Sequence, residues 1–246
     1  MIKATLIIAA LFLVSFALGS IPWGVIISKV FFKTDIRQHG SGNIGTTNAM
    51  RTMGKAGGAA VFILDFAKGL GSGALGLLVA AYLVTENPVT SLPWLTPLLT
   101  FISGDKMLAM QMSTLELAQQ VCLAVSFLGC VWGHIFSPWL GFKGGKGIAV
   151  AVGCLFMTFG FVGAWLELGI FIVLVLATRY VSVGSIAAAA ACPFFSLYFF
   201  WGNWFSVALC TIAALTVVWA HRANISRLLA GTESRIGSKK QQQEES

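Results

Sequence analysis

Long apolar stretches separated by short polar ones organise this chain of 246 residues. The runs at 6–30, 57–84, 117–139, 148–177, 182–201 and 204–220 each hold enough apolar residues to form buried or membrane-embedded helix. A helix needs roughly 20 apolar residues to cross a bilayer core of about 30 Å. The run 148–177 is too long for one crossing, since thirty residues at about 1.5 Å each would reach about 45 Å. Gly160 and Gly163 lie near its middle. The pattern therefore predicts two short helices, 148–159 and 164–177, joined as a hairpin. That makes seven crossings in a single all-α, polytopic bundle. A polar connection, 85–114, with a weakly hydrophobic middle at 94–102, separates the second and third helices. The polar residues 233–246 read as a cytoplasmic tail.

Composition agrees with a membrane protein. Hydrophobic residues make up 57% of the chain and charged ones 10%, against about 25% charged in soluble domains. Mean hydropathy is +0.84. The N-terminal run resembles a signal peptide as far as Ala17-Leu18-Gly19, but it stays apolar well past that point, which predicts a retained helix. Five cysteines, Cys122, Cys130, Cys154, Cys192 and Cys210, fall inside apolar runs without CxxC or Cys/His spacing. They read as packing residues, and no metal or cofactor is expected.

Net charge is +7. Its placement gives topology rather than nucleic-acid binding. Lys33, Arg37, Arg51 and Lys55 follow the first helix, Lys143 and Lys146 the third, Arg179 the hairpin, and His221, Arg222 and Arg227 the last. Seven crossings put all four clusters on one face, whereas six would divide them. The positive-inside rule then predicts the N-terminus outside and the C-terminus in the cytoplasm. The connection 85–114, with Lys106 against Glu86 and Asp105, falls outside.

The chemistry-bearing residues collect on that same face. Residues 40–51 read Gly-Ser-Gly-Asn-Ile-Gly-Thr-Thr-Asn-Ala-Met-Arg. Glycines at 40, 42 and 45 let backbone N–H groups approach a ligand. Ser41, Asn43, Thr47 and Asn48 add polar side chains, and Arg51 supplies a fork matched to phosphate oxygens. The spacing also fits a dinucleotide fingerprint, but no strand precedes it, so only the anion-cradling physics carries over. A plain interhelical linker is the alternative. Phe142-Lys143-Gly144-Gly145-Lys146-Gly147 places two cations on a wrapping backbone before a helix N-terminus, where the dipole adds positive character. A positive-inside anchor explains the same lysines. His221 and Asn224, spaced i and i+3, share a face at the end of the last run. Asp65 and Lys68 lie one turn apart at membrane depth, as a structural or a functional pair. His134 reads first as a packing residue, and Glu167 has no local partner.

Taken together, these segments resemble the bacterial acyl-phosphate-dependent glycerol-3-phosphate acyltransferases, a membrane family. The resemblance rests on Gly40 to Asn48 with Arg51; Leu64-Asp65-x-x-Lys68-Gly69; Gly133-His134-Ile135-Phe136 leading to Phe142 to Gly147; Thr178-Arg179-Tyr180-x-Ser182; and His221-Arg222-x-Asn224. It extends from Gly19 to Glu233. It implies a seven-helix inner-membrane enzyme of phospholipid synthesis, with its site facing the cytoplasm. Such an enzyme moves a fatty acyl group from acyl phosphate to the 1-hydroxyl of glycerol 3-phosphate. The products are lysophosphatidic acid and phosphate. By this resemblance Ser41, Arg51, Lys146, His221 and Asn224 are catalytic. Gly40, Gly42, Asn43, Gly45, Thr47, Asn48, Lys143, Gly144, Gly145 and Ser185 bind substrate. The expected partners are the two substrates and membrane lipid, with no nucleic acid and no obligate protein. Thr46 stands where the family usually has alanine, Ala223 where glutamate is common, and the connection 85–114 looks longer than usual. No histidine here is followed five residues later by aspartate, so direct acyl transfer is expected, with Ser41 as a covalent nucleophile the rival. A transporter of organic phosphate is the competing function.

Overall fold

A computed structural model describes residues 2–86 and 114–237. Nine α-helices are described: α1 (Ile2–Ser20), α2 (Trp23–Phe31), α3 (Thr46–Glu86), α4 (Thr114–Ile135), α5 (Ile148–Thr158), α6 (Gly160–Thr178), α7 (Val181–Phe199), α8 (Trp204–Ala220) and α9 (Arg222–Leu229). Among the described residues, five segments are long and apolar enough to cross a membrane. They are Ile2–Phe31, Thr46–Thr85, Leu115–Leu140, Gly160–Thr178 and Val181–Phe199. The pair α8 and α9, bent by 50°, makes a sixth, and α5 is a shorter apolar helix.

Helix α4 is the centre of the bundle. Its apolar window is 78% buried, against 17% for α6, so α6 turns its side chains outward and α4 does not. Helices α1, α3, α5 and α8 pack on α4, while α7 joins α8 to α6. Lipid offers little hydrophobic drive between helices, so close approach through small residues is what holds them. At α1–α4, a Cβ on Gly133 would stand 2.0 Å from the Phe16 carbonyl oxygen, and one on Gly19 would stand 2.1 Å from that of Cys130. At α3–α5 the reciprocal pair is Gly69 against Val150 and Gly153 against Phe66. All five cysteines are free and buried, as packing residues should be.

Several expected boundaries move, each for a local reason. The first apolar run is two helices, because Pro22 lacks an N–H and turns the preceding residue away from helix. The second begins at Thr46 rather than 57, so half of the polar loop is helix, kinked where Gly54 adopts φ +69°. The third ends at Ile135, followed by a single 3-10 turn at Pro138–Leu140. The expected pair of short helices is corrected to one short and one full-length. The chain breaks sharply at Phe159–Gly160, where Gly160 takes φ +68°. Gly163 stays helical because it packs against the Phe199 ring. Thus α5 has 11 residues and α6 has 19. Phe156 bridges the break by ring contacts with Phe161 and Trp165. The chain also stays helical past His221, through α9. Most of the connection 85–114 and the end of the polar tail lie outside the described residues.

Buried charge is compensated. Asp65 and Lys68 pair at 2.8 Å with both side chains almost fully enclosed. The Lys68 ammonium also donates to the Ile21 carbonyl at 3.0 Å, beside the Pro22 break, and to His134 Nδ1 at 2.9 Å. The lysine thereby ties α3 to the break in the first span and to α4.

The α1–α4 contact gives a direct test. Gly133→Ala forces backbones apart and should lower the melting temperature in detergent by an amount matching about 1–3 kcal/mol of overpacking. Gly169→Ala, which meets nothing within 4 Å, should leave it unchanged. Equal melting temperatures for the two variants would contradict glycine-mediated packing.

Candidate functional site

The loop before α3 is shaped by one residue. Asn48 is 2% exposed. Its amide donates to the carbonyls of Ile36 at 3.1 Å, His39 at 3.0 Å and Asn43 at 2.8 Å, and its Oδ1 accepts the Ser41 N–H at 2.9 Å. A Cβ at Gly40, where φ is +56°, would press on Asn48 Oδ1. The Asn43 side chain accepts the Gly45 N–H at 2.9 Å. The Gly45 carbonyl then accepts from Asn48 and Ala49 and opens α3. The first-turn amides of Thr46 and Thr47 are left without intrahelical acceptors, as at every helix start.

A cavity of about 520 Å³ begins at this loop. That is an ordinary size for a small-molecule site. Ser41, Arg51, Lys146, His221 and Asn224 all line it, and so do Gly40, Asn43, Gly45, Thr47, Asn48 and Ser185. The α3 start, Ile148 and Ala149 of α5, and Val181 and Ser182 of α7 are also in its wall. Three helix N-termini therefore meet there, each adding partial positive charge suited to an anion.

Four expected ligand residues do not line the cavity. Gly42 takes φ +68° and gives its N–H to the His39 carbonyl. The Gly144 and Gly145 N–H groups are spent on the Ile135 and His134 carbonyls, at 2.9 and 3.1 Å. These glycines seal the end of α4, and a Cβ at either would strike His134. Lys143 points to the exterior. Gly144 and Gly145 thus fix the turn that leads to Lys146.

Sequence reasoning missed two wall residues from the C-terminal segment and undervalued two from the core. Arg227 and Glu233 pair at 2.7 Å, and the Asn224 amide donates to the other Glu233 oxygen at 2.7 Å. Glu233 is therefore part of the site wall and not of a solvated tail. The spacing of Asn224 and Arg227, i and i+3 on one helix, was the available signal. Asp65 and His134 line the inner end of the cavity. Their depth in apolar runs concealed it.

The charges divide unevenly. Arg227 has Glu233, but neither Arg51 nor Lys146 has a carboxylate within ion-pair distance among the described residues. Arg51 Nε is buried without a hydrogen-bond partner among the described residues, and so is Asn224 Oδ1. Burial lowers the Lys146 ammonium to about 8, with Arg227 and Arg51 pushing the same way and Glu233 opposing. His221 donates its Nδ1–H to the Val217 carbonyl at 2.8 Å, which leaves Nε2 as an acceptor on the neutral ring. Burial pushes Glu233 up, but the Asn224 and Arg227 hydrogen bonds outweigh it and hold the carboxyl below its usual range. The arrangement offers free cationic donors for an anion, beside neutral acceptors able to orient a hydroxyl. Among the described residues, no group of three His, Cys, Asp or Glu side chains stands close enough to hold a metal ion.

Comparison with known proteins agrees with this chemistry. The chain is 36% identical over 234 residues to the glycerol-3-phosphate acyltransferase of Thermosynechococcus vestitus, covering 94% of this chain and 96% of that protein. It is 39% identical over 235 residues to that of Acaryochloris marina, covering 94% and 92%. Among solved structures it resembles PlsY (YgiH), an integral membrane glycerol 3-phosphate acyltransferase, in its glycerol 3-phosphate form. That match has a TM-score of 0.69 at 30% identity, covering 94% and 96% of the two chains. The lysophosphatidic acid form of that protein matches at 0.68 and 29% identity, covering 94% and 95%. The sequence model of the family described as glycerol-3-phosphate acyltransferase matches residues 9–231, and with it this chain belongs to that family of integral membrane acyltransferases.

Proposed function

We propose that this protein transfers a fatty acyl group from acyl phosphate to the 1-hydroxyl of glycerol 3-phosphate, releasing lysophosphatidic acid and phosphate. The bundle crosses the inner membrane seven times, with α5 as a short crossing, the N-terminus outside and the site open to the cytoplasm. One observation carries the reading. Ser41, Arg51, Lys146, His221 and Asn224 come from separate parts of the chain, yet line one cavity in which two cations lack acidic partners among the described residues.

Both substrates bear phosphate, and the cavity suits both. The start of α3, with Ser41 and Thr47, and the cations Arg51 and Lys146 hold the phosphate groups. The acceptors Asn224 Oδ1 and His221 Nε2 orient the glycerol hydroxyls. The attacking oxygen forms an ester bond with the acyl carbon while the acyl–phosphate bond breaks. Negative charge grows on the departing phosphate, where Lys146, Arg51 and the helix N-termini stabilise it without reorganising. The hydroxyl proton passes to a phosphate oxygen of the substrate. His221 spends Nδ1 on the Val217 carbonyl rather than on a carboxylate that would raise its basicity, which supports substrate phosphate as the base. Among the described residues, neither a histidine nor a carboxylate bonds the Ser41 hydroxyl. That supports direct transfer over an acyl-serine.

The competing function, transport of organic phosphate, expects a midplane site between repeated halves. The cavity here opens at helix ends, where α5 and α7 begin and α8 finishes.

The deciding assay supplies purified protein with acyl phosphate and glycerol 3-phosphate. Lysophosphatidate and phosphate should appear in equal amounts. Phosphate exchange across vesicles without lysophosphatidate would sink the reading in favour of transport. Arg51→Ala should lower kcat/KM roughly 10²- to 10³-fold, the usual size for one preorganised charge donor, and near-normal turnover would refute its role. The pH dependence has a fixed sign. Lys146 must carry its proton to bind phosphate, so kcat/KM should fall as pH rises through about 8. A profile flat across that pH would show that the Lys146 charge is not needed. Asn48→Leu should also cost at least tenfold in kcat/KM by unfastening the loop, with the overall fold intact by circular dichroism.

A further inference from the structure

A second cavity, of about 120 Å³, adjoins the site. Phe62, Ile148, Phe171 and Ser185 line both spaces, so the two share a wall. From the site end it deepens along α7 from Ser185 to Cys192, seven residues or about 10 Å. Alanines 151, 188, 189 and 214 keep it open, and its surface is otherwise almost wholly apolar. Besides Ser185 at the shared rim, its lining holds Glu167, one helical turn deeper than Phe171 on α6, or about 6 Å from the rim. Its side chain is 3% exposed, and Oε2 has no hydrogen-bond partner among the described residues.

A carboxyl group in an apolar space is costly unless something bonds it. With acyl phosphate as donor, its chain is the natural occupant of an apolar space that adjoins the phosphate-binding cavity. Plain methylene groups would strip water from Glu167 and return no hydrogen bond. A chain carrying a hydroxyl group would satisfy it. We propose that Glu167 is a specificity-determining residue that selects acyl chains bearing a hydroxyl on one of their first few carbons. This rests on the acyl-phosphate reading above. It assigns Glu167 no part in bond making or breaking.

The test uses full-length protein and a set of acyl phosphates of one length. One is unsubstituted, and the others carry a hydroxyl at successive carbons from the carbonyl. Each is measured in competition with the unsubstituted donor. In the unaltered protein one hydroxyl position should be favoured, by about tenfold, the worth of one net hydrogen bond. Glu167→Leu should erase that preference and raise use of the plain chain. Glu167→Gln, which keeps an acceptor oxygen, should retain it and guards against loss of fold in the leucine variant. If the plain donor is used and all three proteins give the same ratios, the Glu167 proposal fails alone. If no acyl phosphate yields product in any of them, the donor assignment fails and takes this proposal with it.

Discussion

Arg51 and Lys146 face one cavity with no carboxylate of their own among the described residues, and three helix N-termini point partial positive charge into the same space. Crowding like charges in a partly buried place opposes folding. Burial depresses the Lys146 ammonium most, and Arg227 and Arg51 add to it. The arrangement is sustained by the bundle around it. Most of what surrounds the cavity serves that constraint. Asn48 fastens the loop so that α3 begins at the cavity wall. Gly144 and Gly145 lie flat on the end of α4 so that Lys146 can reach inward. Among the described residues, Glu233 makes its ion pair with Arg227 and leaves Arg51 and Lys146 without a carboxylate at ion-pair distance.

The second requirement is mechanical. A site built from the loop before α3, the loop before α5, α7 and the α8–α9 junction needs its helix ends level with one another. The close glycine contacts of α1 with α4 and of α3 with α5 fix that level. The Lys68 ammonium adds a polar tie, joining Asp65, His134 and the Ile21 carbonyl. Asp65 and His134 also reach the cavity's inner end. Packing and chemistry thus share residues.

Much of this was legible in the residues. Apolar runs marked the helices, and Gly160 marked the break in the long one. Ser41, Arg51, Lys146, His221 and Asn224 stood out because polar groups amid so much apolar sequence require a reason. Helix ends were less legible, because Pro22 and Gly54 act on backbone angles that hydropathy ignores. Gly144 and Gly145 looked like ligand-wrapping glycines, yet their N–H groups close the end of α4, a contact between segments that spacing does not encode. Glu233 looked like tail because its partners, Asn224 and Arg227, meet it only after the chain turns back at Gly231, where φ is +67°. Glu167 had no local partner in sequence, and it has none for Oε2 in three dimensions among the described residues.

Arg51 and Lys146 must reach the same space on one side of the bilayer to share an anion. Single cysteines introduced at Thr47 and Lys143, flanking those two residues, can be labelled by a membrane-impermeant thiol reagent in sealed vesicles of either orientation. The five native cysteines are buried and should stay silent. Both introduced thiols should react only from the cytoplasmic side, with glycerol 3-phosphate slowing the reaction at position 47. Reaction of the two from opposite sides would leave the cations unable to share an anion, and the site described here could not form.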